Sequence, residues 1–286
     1  MKKIKTDICV IGGGSGGLSV ASGAVQMGAS VVLIEAGEMG GDCLNYGCVP
    51  SKALLSAAKQ AHVMRKGSAG VVGMEPQIDY AAAMDHVQTA IDTIAPHDSQ
   101  ERFEGLGCTV IRAFARFTSP TTVQAGDTEI TARRFVISTG SRAFIPPIKG
   151  LETVPYLTNE TLWQQRRAPK HLLVLGGGAI GMEMAQAHRR LGCEVTVIEA
   201  QDALGRDDPE AAEVVKGALR AEGVTIMEQA PVVMVRGGAG DITLQLKDGA
   251  EIKGTDLLVA VGRTANTDAL DLEKGGIDHN RAGVTV

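Results

Sequence analysis

The sequence predicts an α/β protein that contains two parallel sheets. Three observations support this fold class: an internal repeat, a glycine-rich turn inside each copy, and apolar strands on both sides of each turn. Residues 8–36 match residues 172–200 without a gap at an offset of 164, and eleven of the 29 positions are identical. Each copy reads as a strand, a glycine turn, a helix and a second strand that ends in an acid, which is one βαβ unit.

The composition fits a globular protein of about two domains. The chain has 286 residues, of which 44% are hydrophobic and 21% are charged, and these values exclude a disordered, collagen-like or coiled-coil chain. A net charge of −5 without a basic block argues against nucleic-acid binding. No apolar run approaches the roughly 18 residues of a membrane span, and the first residues show no signal-peptide cleavage pattern. We therefore expect a cytoplasmic protein.

The predicted elements follow in order along the chain. Residues 50–66 and 79–104 show helical patterns, and Pro96 is expected to break or bend the second of them. Residues 108–138 carry short strand patterns separated by turn signals, and the segment 145–150, with its prolines and glycine, marks a domain boundary. The second repeat copy is followed by a helix near 208–221 and by strands near 224–227, 242–246 and 257–261.

The first glycine turn has the pattern of a dinucleotide site. Gly12 permits the tight turn after the strand, Gly14 lets the backbone approach a pyrophosphate, and Gly17 lets helix and strand pack closely. The N-terminus of the following helix then faces the phosphate charge. Glu35 ends the next strand and can accept hydrogen bonds from a ribose diol. The alternative is a glycine turn of the kind found in α/β proteins that bind no nucleotide.

The second turn repeats every part of the first. Gly176, Gly178 and Gly181 follow a strand and open a helix, and Glu199 ends the strand after it. Two copies with strand, helix and acid at the expected spacing favour nucleotide binding over a plain turn. A carboxylate at Glu199 suits a free 2′-hydroxyl and repels a 2′-phosphate. We therefore expect NADH rather than NADPH, although Arg206 lies a little further along the chain.

The five cysteines form an odd and sparse set, which argues against a secreted disulfide framework. Cys43 and Cys48, with four residues between them, can close a small loop, and Pro50 suits the first turn of a following helix. Cys48 then lies near a helix N-terminus, which stabilises a thiolate. A redox pair, two buried thiols and half of a metal site all fit this spacing, although no nearby Cys or His pair supplies further zinc ligands. Buried structural thiols are expected at Cys9, Cys108 and Cys193.

The cysteine segment resembles that of a known family. A segment placed after a flavin-type GxGxxG turn reads Gly40-Gly41-Asp42-Cys43-Leu44-Asn45-Tyr46-Gly47-Cys48-Val49-Pro50-Ser51-Lys52. It is similar to the redox motif of the class I pyridine nucleotide–disulfide oxidoreductases, and the similarity extends to Ser138-Thr139-Gly140-Ser141 and Val261-Gly262-Arg263-x-x-Asn266. The resemblance implies two Rossmann-like domains, each a three-layer ββα sandwich, with FAD bound by 1–148 and NAD(P) by 149–268.

The resemblance also implies a role for each residue of the redox segment. Hydride passes from the nicotinamide to the flavin, and the flavin reduces a disulfide between Cys43 and Cys48. Cys48 would stack on the flavin and form a charge-transfer complex, while Cys43 would exchange with the substrate. Lys52, one helical turn after Cys48, would lie near the flavin N5 and pair with Glu183. From the residues alone, Lys52 and Glu183 also read as two solvated surface charges.

FAD and NADH are the expected cofactors, and no metal site is predicted. The candidate cofactor-binding residues come from the two turns, the redox segment and the segments that share the family resemblance. They are Gly12, Gly14, Ser15, Gly16, Gly17, Glu35, Gly41, Asp42, Cys43, Cys48, Lys52, Ala115, Thr139, Gly140, Gly176, Gly178, Ala179, Ile180, Gly181, Glu199 and Gly262.

The family includes dihydrolipoamide dehydrogenase, glutathione reductase and mercuric reductase. We expect a small-molecule thiol or disulfide substrate, most like that of dihydrolipoamide dehydrogenase. A mercuric-reductase-like enzyme with a metal-ion substrate and a non-catalytic nucleotide-binding fragment are the alternatives. The family's C-terminal interface domain, which supplies dimer contacts and a catalytic His–Glu pair, has no counterpart in this sequence. Residues 269–286 are therefore read as the start of a return into the FAD domain, and a homodimer is expected for the full-length family member.

Overall fold

The computed structural model describes Lys2–Val286, and the chain divides into two compact units. The first unit consists of the chain up to Val49, Ala90–Arg142 and Arg263–Val286. The second unit consists of Pro50–Thr89 and Ala143–Gly262. No helix in this described part of the chain is both long and apolar enough to cross a membrane.

Both units contain helices and strands. The α-helices of the described residues are α1 (Ser15–Gln26), α2 (Gly41–Asn45), α3 (Cys48–Lys66), α4 (Tyr80–Ile94), α5 (Gln100–Gly105), α6 (Ala179–Arg190) and α7 (Pro209–Ala221). The strands are β1 (Lys2–Ile11), β2 (Val31–Glu35), β3 (Thr109–Arg112), β4 (Ala115–Ser119), β5 (Thr122–Ala125), β6 (Thr128–Ile137), β7 (Ser141–Ala143), β8 (His171–Leu175), β9 (Glu194–Ile198), β10 (Thr225–Met227), β11 (Val232–Gly238), β12 (Asp241–Leu246), β13 (Glu251–Gly254), β14 (Asp256–Val259), β15 (Arg263–Ala265), β16 (His279–Asn280) and β17 (Gly283–Val284).

The first unit is built on a six-stranded sheet with the order β3-β2-β1-β6-β5-β4. Strands β3, β2, β1 and β6 are parallel, and β5 and β4 continue the sheet in antiparallel fashion. Strand β1 pairs with β6 as far as the partners Ile11 and Ile137. Because parallel strands end at the same edge of a sheet, the chain segments that follow β1 and β6 meet there.

Both faces of the parallel strands in the first unit are buried, because alternate residues enter different cores. Cys9 and Ile11 of β1 pack on one face with Phe117 of β4. Val10, between them, packs on the other face with Leu18 of α1. Apolar residues on both faces are typical of parallel strands that are covered on both sides.

The second unit has three layers. A four-stranded parallel sheet has the order β10-β9-β8-β14, and a three-stranded antiparallel sheet has the order β11-β12-β13. Leu173 of β8 and Leu257 of β14 pack with Leu244 of β12 in the core between the sheets. Helix α6 lies against β8 and β9 and buries Met182 and Met184. This arrangement of helix, sheet and sheet confirms the predicted ββα sandwich.

Most of the elements expected from the sequence are present. Helix α4 ends at Ile94, and Pro96 lies in the 3₁₀ helix that follows, so the break expected at Pro96 is confirmed. Two strands were not predicted from the sequence: β11, which begins with four apolar residues and ends in two glycines, and β13, which alternates charged residues with an isoleucine and a glycine. Residues 50–89 belong to the second unit, and the domain ranges 1–148 and 149–268 stay a prediction.

Candidate functional site

The first glycine turn lies where β1 ends and packs against the segment after β6. Gly12 has a φ of +112°, and a Cβ there would lie 2.2 Å from the carbonyl oxygen of Ser138. A Cβ on Gly17 would lie 1.8 Å from the carbonyl oxygen of Gly12. Both positions therefore need glycine, the first also for its backbone conformation. Thr139 and Gly140 directly follow Ser138, so this packing brings them to the same edge of the sheet.

The acid that ends β2 holds the turn in place. The Glu35 carboxylate accepts hydrogen bonds from the amide of Gly13 at 2.5 Å and from the amide of Gly37 at 2.6 Å. A carboxylate oxygen can accept more than one hydrogen bond, so Glu35 keeps capacity for a ligand hydroxyl. The predicted ribose-binding acid therefore has a structural task as well, which the sequence did not indicate.

The second glycine turn has the same geometry. Gly176 has a φ of +110°, and a Cβ there would lie 2.4 Å from the carbonyl oxygen of Ala260. A Cβ on Gly181 would lie 2.1 Å from the carbonyl oxygen of Gly176. The Glu199 carboxylate accepts a hydrogen bond from the amide of Gly177 at 2.7 Å. The repeat seen in the sequence is thus a repeat of backbone geometry.

The helices that open at these turns lack the side-chain N-caps that α5 and α7 have. Gly14 is the N-cap of α1 and Gly178 the N-cap of α6, and no described side chain caps either end. By contrast, the Asp208 side chain caps α7 and the Ser99 side chain caps α5. The uncapped first turns present backbone N–H groups and the positive end of the helix dipole, which fits the diphosphate of a dinucleotide. The exposed residues of these first turns are Ser15, Gly16, Ala179 and Ile180.

The redox segment forms two consecutive helices, with Cys43 in α2 and Cys48 as the first residue of α3. The Cys43 and Cys48 side chains are hydrogen-bonded to each other. Partial burial, followed by the hydrogen bond and like charge of Cys48, raises the pKa of Cys43 from 9.0 to about 11. Cys48 is exposed and Cys43 is half-buried, so the two sulfurs differ in access to solvent.

Close backbone contact attaches the redox segment to the first glycine turn. The amide of Gly40 donates to the carbonyl of Gly13 at 2.9 Å. A Cβ on Gly41 would lie 2.6 Å from the Cα of Gly14. This approach is open only to glycine, and it places Gly41 and the start of α2 beside the predicted pyrophosphate position.

An ion pair fixes the redox segment from the other side. Arg263 donates to the Asp42 carboxylate at 2.9 Å and, through Nε, to the Ser141 hydroxyl at 2.7 Å. The side-chain amide of Asn266 donates to the carbonyl of Thr139 at 3.1 Å. The three separate segments that carried the family resemblance therefore meet in one unit. Sequence reasoning missed the Asp42–Arg263 pair because the two residues lie 221 positions apart.

Lys52 and Glu183 form an ion pair, as the resemblance implies. The Lys52 ammonium donates to the two carboxylate oxygens of Glu183 at 2.7 and 2.8 Å. The side chains are 61% and 39% exposed, so water screens the pair. Both residues belong to the second unit, Lys52 on α3 and Glu183 on α6.

The surroundings of two other predicted site residues, Ala115 and Gly262, do not indicate a cofactor contact. Ala115, the first residue of β4, is buried in the first unit's core with Phe117. Gly262 has a φ of +147°, and its carbonyl accepts a hydrogen bond from the amide of Phe144 at 3.0 Å. Cofactor contacts by Ala115 and Gly262 stay a prediction. Among the described residues, no cluster of three His, Cys, Asp or Glu side chains could hold a metal ion.

The remaining cysteines and one histidine are buried. Cys9, Cys108 and Cys193 are all buried, as the sequence predicted. A buried hydrogen bond of 3.1 Å joins the Tyr80 hydroxyl to Nε2 of His188, and burial lowers the pKa of His188. No pattern in the sequence indicated this pair, which joins α4 to α6 inside the second unit.

Comparisons with known proteins agree on the family. A family model described as pyridine nucleotide-disulphide oxidoreductase matches residues 6–286. The chain is 34% identical to a mercuric reductase of Streptomyces lividans over 98% of its length and 61% of the relative. It is also 34% identical to a dihydrolipoyl dehydrogenase of Thermus scotoductus over 97% of its length and 61% of the relative.

A solved structure gives the same result. The HOCl-induced flavoprotein disulfide reductase RclA from Escherichia coli superposes with a TM-score of 0.85 at 28% identity, covering 98% of this chain and 62% of that one. The chain thus spans about three fifths of the length of these three proteins. The activities named for these three proteins are those of chains longer than this one.

Proposed function

Because the chain belongs to the pyridine nucleotide-disulphide oxidoreductases, we propose that it moves electrons from a pyridine nucleotide, through FAD, to the Cys43–Cys48 pair. The observation that carries this proposal is the hydrogen-bonded pair of Cys43 in α2 and Cys48 at the start of α3, in the unit that also contains the first uncapped glycine turn. NADH, a disulfide and one proton give NAD⁺ and a dithiol, so one S–S bond breaks and two thiols form. Bound FAD would supply the two-electron chemistry that links the nicotinamide to the sulfurs.

The two turns would bind the two cofactors. The amides at the start of α1 would hold the diphosphate of FAD, and Glu35 its ribose. The amides at the start of α6 would do the same for the pyridine nucleotide, with Glu199 at the ribose. NADH is favoured over NADPH, because the Glu199 carboxylate would accept a hydrogen bond from a ribose hydroxyl and would repel a 2′-phosphate.

The dithiol would act on its substrate by thiol–disulfide exchange. In the dithiol form, a pKa of about 11 keeps Cys43 protonated at neutral pH, so its proton must leave before the sulfur attacks. The hydrogen-bonded Cys48 sulfur could take that proton only as a thiolate. The family resemblance makes Cys43 the exchanging thiol and Cys48 the thiol that would face the flavin.

Lys52 would supply positive charge beside the flavin. A cation next to the isoalloxazine ring stabilises the negative charge that develops on reduction. The two hydrogen bonds from Glu183 orient the ammonium group. This pairing supports the role that the family resemblance gives to Lys52.

The substrate would be a small-molecule thiol or disulfide, most like that of dihydrolipoamide dehydrogenase. A second candidate is reduction of mercuric ion, in which NADH and Hg²⁺ give NAD⁺, a proton and elemental mercury. The mercuric reductases among the similar proteins favour this candidate, and the dihydrolipoyl dehydrogenase at 34% identity favours the first. Two adjacent thiols suit both, since thiolates exchange with disulfides and bind soft metals.

The proposal can be tested by counting thiols. The purified chain is loaded with FAD, oxidised, treated with NADH without oxygen, and alkylated for mass spectrometry. We expect NADH to add two alkylated positions, Cys43 and Cys48, and Cys48→Ser to abolish the gain. The matched control Cys108→Ser removes a buried thiol and should leave the gain unchanged. If NADH adds no thiols to the FAD-loaded chain, the redox proposal is wrong and a nucleotide-binding fragment is the better description.

The substrate is then separated by two assays of NADH consumption. Lipoamide is added in one and Hg²⁺ with excess thiol in the other. Turnover of lipoamide alone supports the first candidate, and turnover of Hg²⁺ alone supports the second.

A further inference from the structure

The loop that follows β9, residues 201–206, is bound tightly to the second glycine turn. Leu204 has a φ of +56°, a left-handed conformation that is uncommon for residues other than glycine. Its amide donates to the carbonyl of Gly177 at 2.9 Å. Ala203 is buried, and a Cβ on Gly177 would lie 2.8 Å from its Cβ. The 201–206 loop therefore forms one wall of the turn.

A carboxylate after β10 holds this loop. Glu228 Oε1 accepts hydrogen bonds from the amide of Ala203 at 2.9 Å and from the Lys216 ammonium at 2.9 Å. Its other oxygen accepts from Arg220 at 2.8 Å. The Lys216 side chain is only 8% exposed, so the carboxylate is fixed by a largely buried cation. These contacts lower the pKa of Glu228, with the Lys216 hydrogen bond as the first cause.

The neighbouring residue holds the loop at a second point. Gln229 also has a positive φ, of +53°, and its amide donates to the carbonyl of Gln201 at 3.0 Å. Its side-chain amide donates to the Asp202 carboxylate at 2.9 Å. Residues 228–229, directly after β10, therefore hold the 201–206 loop through both backbone and side-chain hydrogen bonds.

The loop in turn orients Glu199. The amide of Gln201 donates to one Glu199 oxygen at 2.9 Å, and the amide of Gly177 donates to the other at 2.7 Å. A shift of Gln201 or Ala203 would therefore rotate the carboxylate or leave one of its oxygens without this partner. The chain of contacts runs from Glu228 through Ala203 and Gln201 to the acid beside the turn.

We propose that Glu228 is a positioning residue for nucleotide selection, which acts through the 201–206 loop on Glu199. The inference rests on the proposed binding of a pyridine nucleotide at the second turn. It adds a residue 29 positions after Glu199 that decides how well the acid distinguishes a ribose hydroxyl from a 2′-phosphate. Glu228 itself is enclosed by Lys216 and Arg220, so it is not the group that meets the nucleotide.

The test measures the dissociation constants of NADH and NADPH for the chain and for Glu228→Gln. Lys216 keeps Glu213 as a partner at 2.5 Å in the variant, so we expect the second unit to stay folded. The NADH dissociation constant should rise about tenfold, because a displaced Glu199 would lose its charged hydrogen bond to the ribose hydroxyl. The NADPH value should change little, so the preference for NADH should fall about tenfold.

The matched control is Glu251→Gln, which breaks the exposed Arg236–Glu251 ion pair elsewhere in the same unit. It should leave both dissociation constants unchanged. A second variant, Gln229→Ala, removes the grip on Asp202 and should shift the preference in the same direction by a smaller factor. Equal weakening of both nucleotides in Glu228→Gln would indicate a merely structural residue and overturn the inference. A wild-type chain that binds neither nucleotide would overturn the proposed function as well.

Discussion

The two glycine turns of this chain are copies of one backbone that end differently. The offset of 164 that aligns the sequences also relates contacts beyond the matched segment. Gly40 and Leu204 both have positive φ, of +84° and +56°. The amide of Gly40 donates to the carbonyl of Gly13, and the amide of Leu204 donates to the carbonyl of Gly177, both at 2.9 Å. The duplicated geometry therefore continues past position 36, where the sequence match ends.

The difference lies in what each loop carries. In the first unit, Gly40 leads into α2, and Cys43 follows within that helix. In the second unit, Leu204 leads into a loop whose backbone is held by Glu228. The shared backbone provides a nucleotide-binding turn twice, and a few side chains on it decide whether the neighbouring loop carries redox chemistry or helps to select the nucleotide.

The largest expected effect tests whether the two turns are equally constrained. Gly17→Ala and Gly181→Ala would place a Cβ 1.8 and 2.1 Å from a carbonyl oxygen. Since the backbone must move in each case, we expect a loss of about 3 kcal/mol or more. Alkylation during urea unfolding assigns the loss, because Cys108 is buried in the first unit and Cys193 in the second. Gly17→Ala should expose Cys108 at lower urea, and Gly181→Ala should expose Cys193.

Glycines away from the turns supply the control. Gly23 in α1 and Gly217 in α7 have no heavy atom within 4 Å of a built Cβ. Alanine at either position should stabilise its helix by about 0.5–1 kcal/mol. If Gly17→Ala behaved like Gly23→Ala, the close packing of the first turn would be disproved.

The second prediction sharpens the comparison of Gly40 with Leu204. A Cβ on Gly40 would lie 2.3 Å from Cδ2 and 2.7 Å from Cβ of the buried Leu44. Gly40→Ala should therefore cost about 2 kcal/mol, from this clash and the positive φ. Leu204→Gly loses apolar contact but relieves a strain of about 1 kcal/mol, so its net effect should stay within about 1 kcal/mol.

Urea midpoints of the two variants, measured by alkylation of Cys108 and Cys193, check this asymmetry. Comparable losses in both would mean that the two loops are interchangeable. In that case the redox segment would place no special demand on Gly40.

Local patterns in the sequence predicted the parts of the site that are themselves local. Each glycine turn, its helix and its acid lie within 30 residues, and the spacing was enough to identify them. The contacts that complete the site are not local. Arg263 reaches Asp42 across 221 positions, and the Glu228 contact depends on the pairing of β10 with β9.

Residue identity also concealed a shared backbone conformation. Glycine at position 40 signals a left-handed turn, whereas leucine at position 204 does not, although both residues adopt that conformation. In β13, charged residues and a glycine likewise leave no apolar run that would indicate a strand. Residue types therefore predicted the backbone conformation where only glycine can adopt it, and did not predict it where tertiary contacts determine it.

The smallest expected effect on stability concerns the fifth position of the helices that open at the turns, where α1 has Ser19 and α6 has Glu183. Glu183→Ser gives α6 the residue that α1 has at this position and removes the Lys52–Glu183 ion pair. Because the pair is largely exposed, the loss of stability should be below about 1 kcal/mol. The rate of NADH-dependent reduction of the Cys43–Cys48 pair should fall much more, since Lys52 loses the group that orients its charge. Glu251→Ser, which breaks a comparable exposed ion pair, should match the small stability loss and leave that rate unchanged. An unchanged rate in Glu183→Ser would mean that this ion pair has no part in electron transfer.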